Sequence, residues 1–347
     1  MTGRPKRKKI LMLTAGNVDH SSSRIRAIQF IPYLQKENFD VIWIPRIPVE
    51  PVKIIDRILF PFLKRYFFLK TRFFLIFGNW DSVFVQRAFL EEFYLKLIKK
   101  RNIPLVYDFD DAIYLQPNDK QGNVSCTGLM VKYAQTVISS TSFLNSFCEN
   151  HGKTPIVIPT SVDGEVIKPN LPITQKSIPV IGWIGSLTTT IVIKEAEEGL
   201  RRLAKRMNYE FMIIGADINY KPEGIPFKHY DWSLEKEPFY LSKMDIGIMP
   251  LPWTDYSKGK GGFKLYMYMA AAIPSVATPI GVNADIIIEG VNGFHASNPE
   301  EWENKMFKLL NNSELREKMG REGREIFEKN YSVEIAYKAI CKILTDI

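Results

Sequence analysis

Asp245-Ile246-Gly247-Ile248-Met249-Pro250-Leu251-Pro252 is followed by Gly262-Phe263-Lys264-Leu265-Tyr266-Met267-Tyr268-Met269-Ala270-Ala271 and then by Pro274-Ser275-Val276-Ala277-Thr278. A short apolar run with a proline stop, a glycine-rich loop, an apolar helix and a second short run make one strand–loop–helix–strand unit. Strands alternating with helices build a parallel sheet, because a parallel neighbour is reached only by a crossover. The loop itself reads Lys258-Gly259-Lys260-Gly261-Gly262-Phe263-Lys264. Its glycines admit close backbone approach, its N–H groups can point at anionic oxygens, and the helix after it adds a positive dipole end. That is a diphosphate-binding arrangement; a plain solvated loop is the other reading.

The same alternation extends outward in both directions. Lys9–Leu13, Val41–Ile44, Ser82–Val85, Leu105–Tyr107, Thr136–Ser140 and Ile156–Ile158 read as strands of a first sheet. Ser21-Ser22-Ser23 caps a helix carrying Ile25, Ile28, Ile31 and Leu34 on one face, and another helix lies near 88–101. Val180–Gly185, Glu210–Gly215, Asp245–Pro250 and Pro274–Thr278 belong to a second sheet, with helices at 193–206, 262–272 and 300–311. The tail from 313 is helical with a break near Tyr331-Ser332. A chain of 347 residues suits two domains, and the Pro-rich stretch Pro159 to Pro179 reads as the linker. The expected architecture is α/β: residues 1–165, residues 166–330, and a helix at 331–347 returning to the first domain. Ligands of such sheets sit at the carboxyl ends of the strands.

Three sparse cysteines, Cys126, Cys148 and Cys341, form neither a disulfide framework nor a metal cluster, which points to a reducing compartment. Arg4, Lys6, Arg7, Lys8 and Lys9 precede an apolar run, Ile10 to Leu13, too short for a secretory signal. The net charge of +8 is unevenly placed: residues 1–80 hold fifteen Lys and Arg against five Asp and Glu. That asymmetry points to an anionic partner. No nucleic-acid-binding motif accompanies it, so nucleic acid is not expected. Residues 57–77 carry Arg57, Lys64, Arg65, Lys70 and Arg72, interleaved with aromatics and without an acid. Charges interrupt every apolar run short of a membrane span, so this segment is either an interfacial anchor on an anionic membrane or a helix packed on the first domain. The expected location is cytoplasmic, peripheral at the inner face of the membrane.

Residues 245–294, ending in Pro279-Ile280-Gly281-Val282-Asn283 and Gly290-Val291-Asn292-Gly293-Phe294, resemble the donor-binding domain of a GT-B glycosyltransferase, closest to glycosyltransferase family 4. The first half is similar more loosely, through Ser23-Arg24-Ile25-Arg26, Gln86-Arg87 and Asp108-Phe109-Asp110-Asp111-Ala112-Ile113, to a branch that builds bacterial cell-surface polysaccharides. The resemblance implies the GT-B fold, two Rossmann-like domains facing a central cleft. It also implies a retaining hexosyltransferase using a nucleotide-sugar, a UDP-sugar such as UDP-glucose, with no cofactor or metal required. The acceptor would be a saccharide or lipid-linked, in envelope or exopolysaccharide biosynthesis. The chain departs from the family where two glutamates eight residues apart are usual: Gly259 and Met267 stand there. A thioether cannot hold ribose hydroxyls. Ser186 and Thr188-Thr189-Thr190 stand where the family often has Arg and Lys.

The candidate donor-binding residues are therefore Gly16, Gly185, Ser186, Tyr230, Trp232, Lys260, Gly261, Gly262, Phe263, Lys264 and Met267. Lys264, one turn into the helix and three residues before Met267, can reach the diphosphate and replace the missing Arg and Lys. Gly185-Ser186 is either a phosphate contact or a capped turn. Tyr230 and Trp232 lie where the fold holds the base, or are packing aromatics. Gly16 leaves room for sugar and diphosphate, while Arg24, Arg26 and Arg87 hold donor phosphate or an anionic acceptor, or are surface ion pairs. Asp110 and Asp111 are, with Lys264, the candidate catalytic residues, orienting a sugar hydroxyl or the acceptor nucleophile. An Asp-x-Asp metal site of GT-A type and helix capping are the competing readings of the aspartates. His20, His151, His229 and His295 have no metal-ligand spacing and read as structural. The competing functions are a sugar-nucleotide-binding protein with weak or no turnover and a GT-B epimerase; an NAD oxidoreductase lacks its Gly-x-Gly-x-x-Gly fingerprint.

Overall fold

Strand β1 (Lys8–Thr14) is apolar from Ile10 to Leu13 and buried throughout that run, because helices cover both faces of the sheet it opens. In the computed structural model, which describes residues 7–46, 54–169, 171, 172 and 175–347, the chain forms two compact units. Unit 1 comprises residues 1–160 and 333–347, and unit 2 residues 161–332. Arg4 and Lys6, and residues 47–53, 170, 173 and 174, lie outside the described residues, as do the side chains of Arg57 and Lys64.

Unit 1 continues with α1 (Ser21–Arg26), α2 (Ile31–Lys36), β2 (Phe39–Pro45), α3 (Ile54–Phe77), β3 (Ser82–Gln86), α4 (Glu92–Lys100), β4 (Leu105–Phe109), α5 (Val124–Tyr133), β5 (Thr136–Ser139), α6 (Asn145–Glu149) and β6 (Ile156–Val157). The strands pair in parallel in the order β2-β1-β3-β4-β5-β6. The order reverses between β1 and β3, which makes their carboxyl ends the topological switch point of this sheet. The expected helix after β1 is broken: a 3-10 turn at Ile28–Phe30 separates α1 from α2, and the cap is His20 rather than the serines. The His20 ring accepts from Ser23 N at 3.2 Å.

Unit 2 contains β7 (Val180–Ile184), α7 (Lys194–Ala204), β8 (Glu210–Ile214), β9 (Phe227–Tyr230), α8 (Glu237–Leu241), β10 (Ile246–Met249), α9 (Asp255–Lys258), α10 (Phe263–Ala270), β11 (Ser275–Ala277), α11 (Asn283–Ile286), β12 (Gly293–His295), α12 (Pro299–Leu310) and α13 (Ser313–Asn330). Its parallel order β12-β11-β10-β7-β8-β9 is the doubly wound order, with the switch point between β7 and β10. The edge strands β9 and β12 do not stand out in the sequence, since β9 is only half-buried and β12 has three residues. Helices α7 and α12 pack together through Gly199, where a Cβ would lie 2.3 Å from Trp302 Cβ.

The last helix, α14 (Val333–Asp346), belongs to unit 1. Its buried Val333, Ala336, Ile340 and Leu344 join Ile10, Met12, Phe30 and Phe84 in one core. Lys8 Nζ donates to the carbonyls of Leu344 and Thr345 at 3.2 and 2.7 Å, answering carbonyls that a helix end leaves unpaired. Among the described residues, no helix is long and apolar enough to cross a membrane.

Candidate active site

In unit 2 the carboxyl ends of β7, β8, β9 and β10 run into Gly185, Gly215, Tyr230 and Pro250. At Gly185 a Cβ would lie 2.2 Å from Trp183 Cη2, so only glycine lets the strand pass the indole of its own buried tryptophan. Lys264 Nζ stands 5.3 Å from the centroid of that same ring. Gly185, Trp183 and Lys264 therefore converge at the switch point. Trp183 is absent from the sequence candidates; its buried indole N–H has no hydrogen-bond partner among the described residues. Gly215 (φ 70°) is a second omission: a Cβ there would meet Gly185 O at 2.6 Å.

Ser186 heads a 3-10 turn, Leu187–Ile193, in a reciprocal cap with Thr189. Ser186 N donates to Thr189 Oγ1 at 3.0 Å and Thr190 Oγ1 donates to Ser186 O at 3.2 Å. The hydroxyl run that the sequence offered to a phosphate is thus engaged in its own cap. Tyr230 OH donates to Glu210 at 3.0 Å, and Trp232 Nε1 donates to Glu237 at 2.8 Å. Both rings are half-buried and pinned at their polar ends, Tyr230 as the last residue of β9 and Trp232 just after it.

The glycine loop is held from below. Gly281 (φ 53°) lies so close that a Cβ would stand 2.4 Å from Lys258 O and 2.8 Å from Lys258 Cα. Lys258 is paired with Asp255 at 2.7 Å, and Lys260 donates to Tyr256 OH at 3.0 Å. Gly261 is buried, and Gly262 (φ 72°) is the N-cap of α10, a left-handed conformation that favours glycine. The helix starts at Phe263, so Lys264 is its second residue and sits in the first turn rather than one turn in. Phe263 is half-buried against the core. Met267 is only 2% exposed and packs within that core, so the position where the family keeps a ribose-binding glutamate is interior here.

In unit 1 the corresponding edge gathers Gly16, His20, Ser23, Gln86, Arg87, Asp110 and Asp111. Gly16 N donates to Ser23 Oγ at 3.0 Å, and Ser23 Oγ donates to Gln86 Oε1 at 2.9 Å. The space beside Gly16 is taken by His20, whose Cβ would lie 2.5 Å from an added methyl. The glycine therefore makes room for that side chain. Arg87 adopts φ 53°, a conformation sparsely used by non-glycine residues and characteristic of strained functional sites. Its Nη1 donates to Ser22 Oγ at 2.7 Å and reaches Asp110 at 3.3 Å and Asp111 at 3.6 Å. Asp110 is 6% exposed, and its carbonyl accepts from Ser140 Oγ.

His20, read from sequence as structural, sits inside this group. Burial, and then the Arg87 charge, push its pKa below the ordinary histidine value, against the opposing pull of Asp110 and Asp111. Its Nδ1 accepts from Ser23 N at 3.2 Å. Gln86 Nε2 at the end of β3 and Thr141 Oγ1 just after β5 are buried with no hydrogen-bond partner among the described residues.

Arg26 is elsewhere than the sequence candidates suggested. Its guanidinium is buried and forks onto Asp108 at 3.1 and 2.5 Å, with a third bond to Ile158 O at 2.6 Å. It is committed to the interior and does not face an anion from solvent. Arg24, half-buried, donates to Val18 O at 2.9 Å. Asp108 is held by Arg26 while Asp110 and Asp111 are held by Arg87, so different arginines answer the two ends of Asp-x-Asp. Among the described residues, no group of three or more His, Cys, Asp and Glu side chains is placed to hold a metal ion.

Residues 178–312, within unit 2, match the family model for glycosyl transferases group 1. An uncharacterized glycosyltransferase of Methanocaldococcus jannaschii is 36% identical over 118 residues, 33% of this chain. That stretch spans about a third of the relative's own length, 32%. A glycosyltransferase from Rickettsia africae superposes with a TM-score of 0.71 at 18% identity, covering 98% of each chain. Anabaena HepE in complex with UDP and glucose superposes with a TM-score of 0.66 at 14% identity, covering 98% of this chain and all of that one. The fold is GT-B: two Rossmann-like units, each with a six-stranded parallel sheet.

Proposed function

We propose that this chain is a retaining glycosyltransferase of family 4, moving a hexosyl group from a nucleotide-sugar to a saccharide or lipid-linked acceptor in envelope or exopolysaccharide biosynthesis. One observation carries the reading: the stretch similar to glycosyl transferases group 1 spans the carboxyl edge where Gly185, Trp183 and Lys264 converge. UDP-glucose is the proposed donor, supported by the UDP and glucose bound to Anabaena HepE.

The diphosphate lies against the Gly259–Gly262 loop and the first turn of α10. There Lys264 neutralises the charge that grows on the leaving UDP, a contribution larger in the transition state than in the ground state. Tyr230 and Trp232 hold the base. With Met267 interior, the ribose is held by backbone rather than by a carboxylate. Transfer proceeds on the front face: the bond from anomeric carbon to phosphate oxygen breaks, the acceptor oxygen bonds to that carbon, and its proton passes to the leaving phosphate. No protein nucleophile and no metal is required; positioning carries the rate. Unit 1 takes the acceptor, with Asp110 or Asp111, oriented by Arg87, accepting from a hydroxyl. The enzyme works in the cytoplasm, associated with an anionic membrane through residues 57–77.

Calorimetry across UDP-, GDP- and dTDP-sugars, with turnover followed by NMR on simple saccharide acceptors, tests the reading. Tight UDP binding with transfer and retained anomeric configuration is expected. UDP binding without turnover from any donor would leave a sugar-nucleotide-binding protein, and an epimerised free sugar nucleotide would make it an epimerase.

A further inference from the structure

We propose that a cavity at the amino ends of β4 and β5 is a binding site for a small phosphate monoester with an apolar body, separate from the donor and acceptor edges.

The cavity measures about 630 Å³, within the usual range of small-molecule sites. Leu105, in its wall, is the first residue of β4, and Gln135, also in its lining, immediately precedes β5. Ligands of a parallel sheet ordinarily sit at the opposite end. Asp110 lies five residues past Leu105, about 16 Å of extended chain away. A small molecule held here is therefore clear of the place proposed for the acceptor. Helices α4 and α5 both end beside the cavity, so their last turns form its sides. Its floor is apolar: Ile98, Ile103, Leu105 and Ala134 are each at most 8% exposed.

The charges identify the ligand. Lys99 in the last turn of α4, Lys132 in the last turn of α5 and Lys153 after α6 all line the cavity. None of the three ammoniums has an ion pair or hydrogen bond among the described residues, and no Asp, Glu or His is in the lining. Glu92, which accepts from the lining Tyr133 at 3.1 Å, is already paired with Lys96 at 3.2 Å. A lysine in the last turn of a helix complements the macrodipole, which explains Lys99 and Lys132 singly. It does not explain the sum. Each helix end amounts to about half a negative charge, so two ends leave about two of the three positive charges unanswered. Lys153, half-buried, belongs to neither helix. A phosphate monoester carries about −1.5 to −2 near neutral pH, and lysines meet it as point charges from several sides. Its organic group would cover the floor and release the water there. Inorganic phosphate answers the lysines but leaves the floor wet; a neutral apolar molecule does the reverse.

The test is a fluorescence titration of the full chain with 1-naphthyl phosphate in saturating UDP, with 1-naphthol and inorganic phosphate as the two half-ligands. The ester should bind about tenfold or more tightly than either half. Lys132→Gln/Lys153→Gln should weaken it about tenfold or more, while Lys132→Arg/Lys153→Arg should retain binding. Lys36→Gln/Lys100→Gln removes the same charge from exposed positions outside the cavity and should leave affinity unchanged. Unfolding midpoints of all three pairs should match the parent, and saturating ester should raise the midpoint of the parent but not of the Lys132→Gln/Lys153→Gln pair. Equal binding of 1-naphthol overturns the proposal, as does full affinity in the Lys132→Gln/Lys153→Gln pair. So does binding seen only without UDP, since that gives the ester to the donor site. If the Gln pair fails to fold, loss of binding in the folded Arg pair overturns it equally.

Discussion

Gly281→Ala tests whether the Lys258–Gly262 loop is part of the donor site without altering any residue of that loop. The glycine has φ 53°, and a Cβ there would stand 2.4 Å from Lys258 O, 2.8 Å from its Cα and 2.9 Å from its carbonyl carbon. Ordinary contact begins at 3.4 Å, so the backbone of the loop must retreat by about 1 Å, the difference between the first distance and that limit. The left-handed conformation costs an L-residue about 1–2 kcal/mol, and overpacking against backbone adds about 1–3 kcal/mol. A displacement of about 1 Å in a positioning element can lower kcat/KM by about a hundredfold. Gly224→Ala is the control. It has φ 68°, but its nearest neighbour is the flexible Arg201 side chain at 3.3 Å, so it should carry the backbone cost alone and keep its activity. The assay is thermal unfolding, UDP calorimetry and kcat/KM on both variants. If Gly281→Ala loses stability yet keeps full UDP affinity and full kcat/KM, the loop is not where the diphosphate binds.

Lys264→Ala should lose about 2–4 kcal/mol of transition-state stabilisation; Lys258→Ala, whose ammonium is already paired with Asp255, should lose much less, and equal losses in kcat/KM would refute the assignment. Asp110→Asn and Asp111→Asn should lower turnover more than UDP affinity, and activity should survive EDTA; loss in EDTA with recovery in Mn²⁺ would mean that the aspartates serve a metal. Burial raises the Asp108 pKa from 3.8 to about 6, against the opposing charge and hydrogen bonds of Arg26. A carboxyl raised in the folded state gives stability that is complete below its unfolded pKa and lost as pH rises through the folded one, so stability should fall between about pH 4 and about pH 6. Urea unfolding across that window should show this slope in the parent and lose it in Asp108→Asn; parallel profiles would refute it.

The doubly wound plan is legible because parallel strands buried on both faces are written as unbroken apolar runs, as at Ile10–Leu13 and Val83–Val85, and Gly185 and Gly215 mark where β7 and β8 end. Helices with one apolar face, such as α12, are legible for the same reason of period. What is not local is not legible. Arg26 and Asp108 are 82 positions apart, and nothing in either segment says that the arginine turns inward to the aspartate rather than outward to a ligand. Ser186 and the threonines after it carry the same hydroxyls whether they hold a phosphate or cap their own turn, and only the backbone geometry decides. Met267 reads as a lost ligand in sequence but is a core side chain in the fold. Helix α3 confuses a periodic reading because both of its faces are apolar, so no single moment describes it. His20 had a signal that was available: it lies four residues past Gly16, in the loop that follows β1, on the edge where such sheets place ligands.

Helix α14 gives the chain an order of maturation opposite to its order of synthesis. Unit 2 is one continuous stretch and can finish its core as soon as residue 332 has cleared the ribosome. Unit 1 starts first, yet Ile10, Met12 and Phe30 wait for Val333, Ala336 and Ile340 to cover them. During translation the first-made sheet keeps an open apolar face until the last residues appear, which exposes the nascent protein to aggregation and to chaperone capture. A chain interrupted just after residue 332 would hold a finished second unit and an unfinished first one.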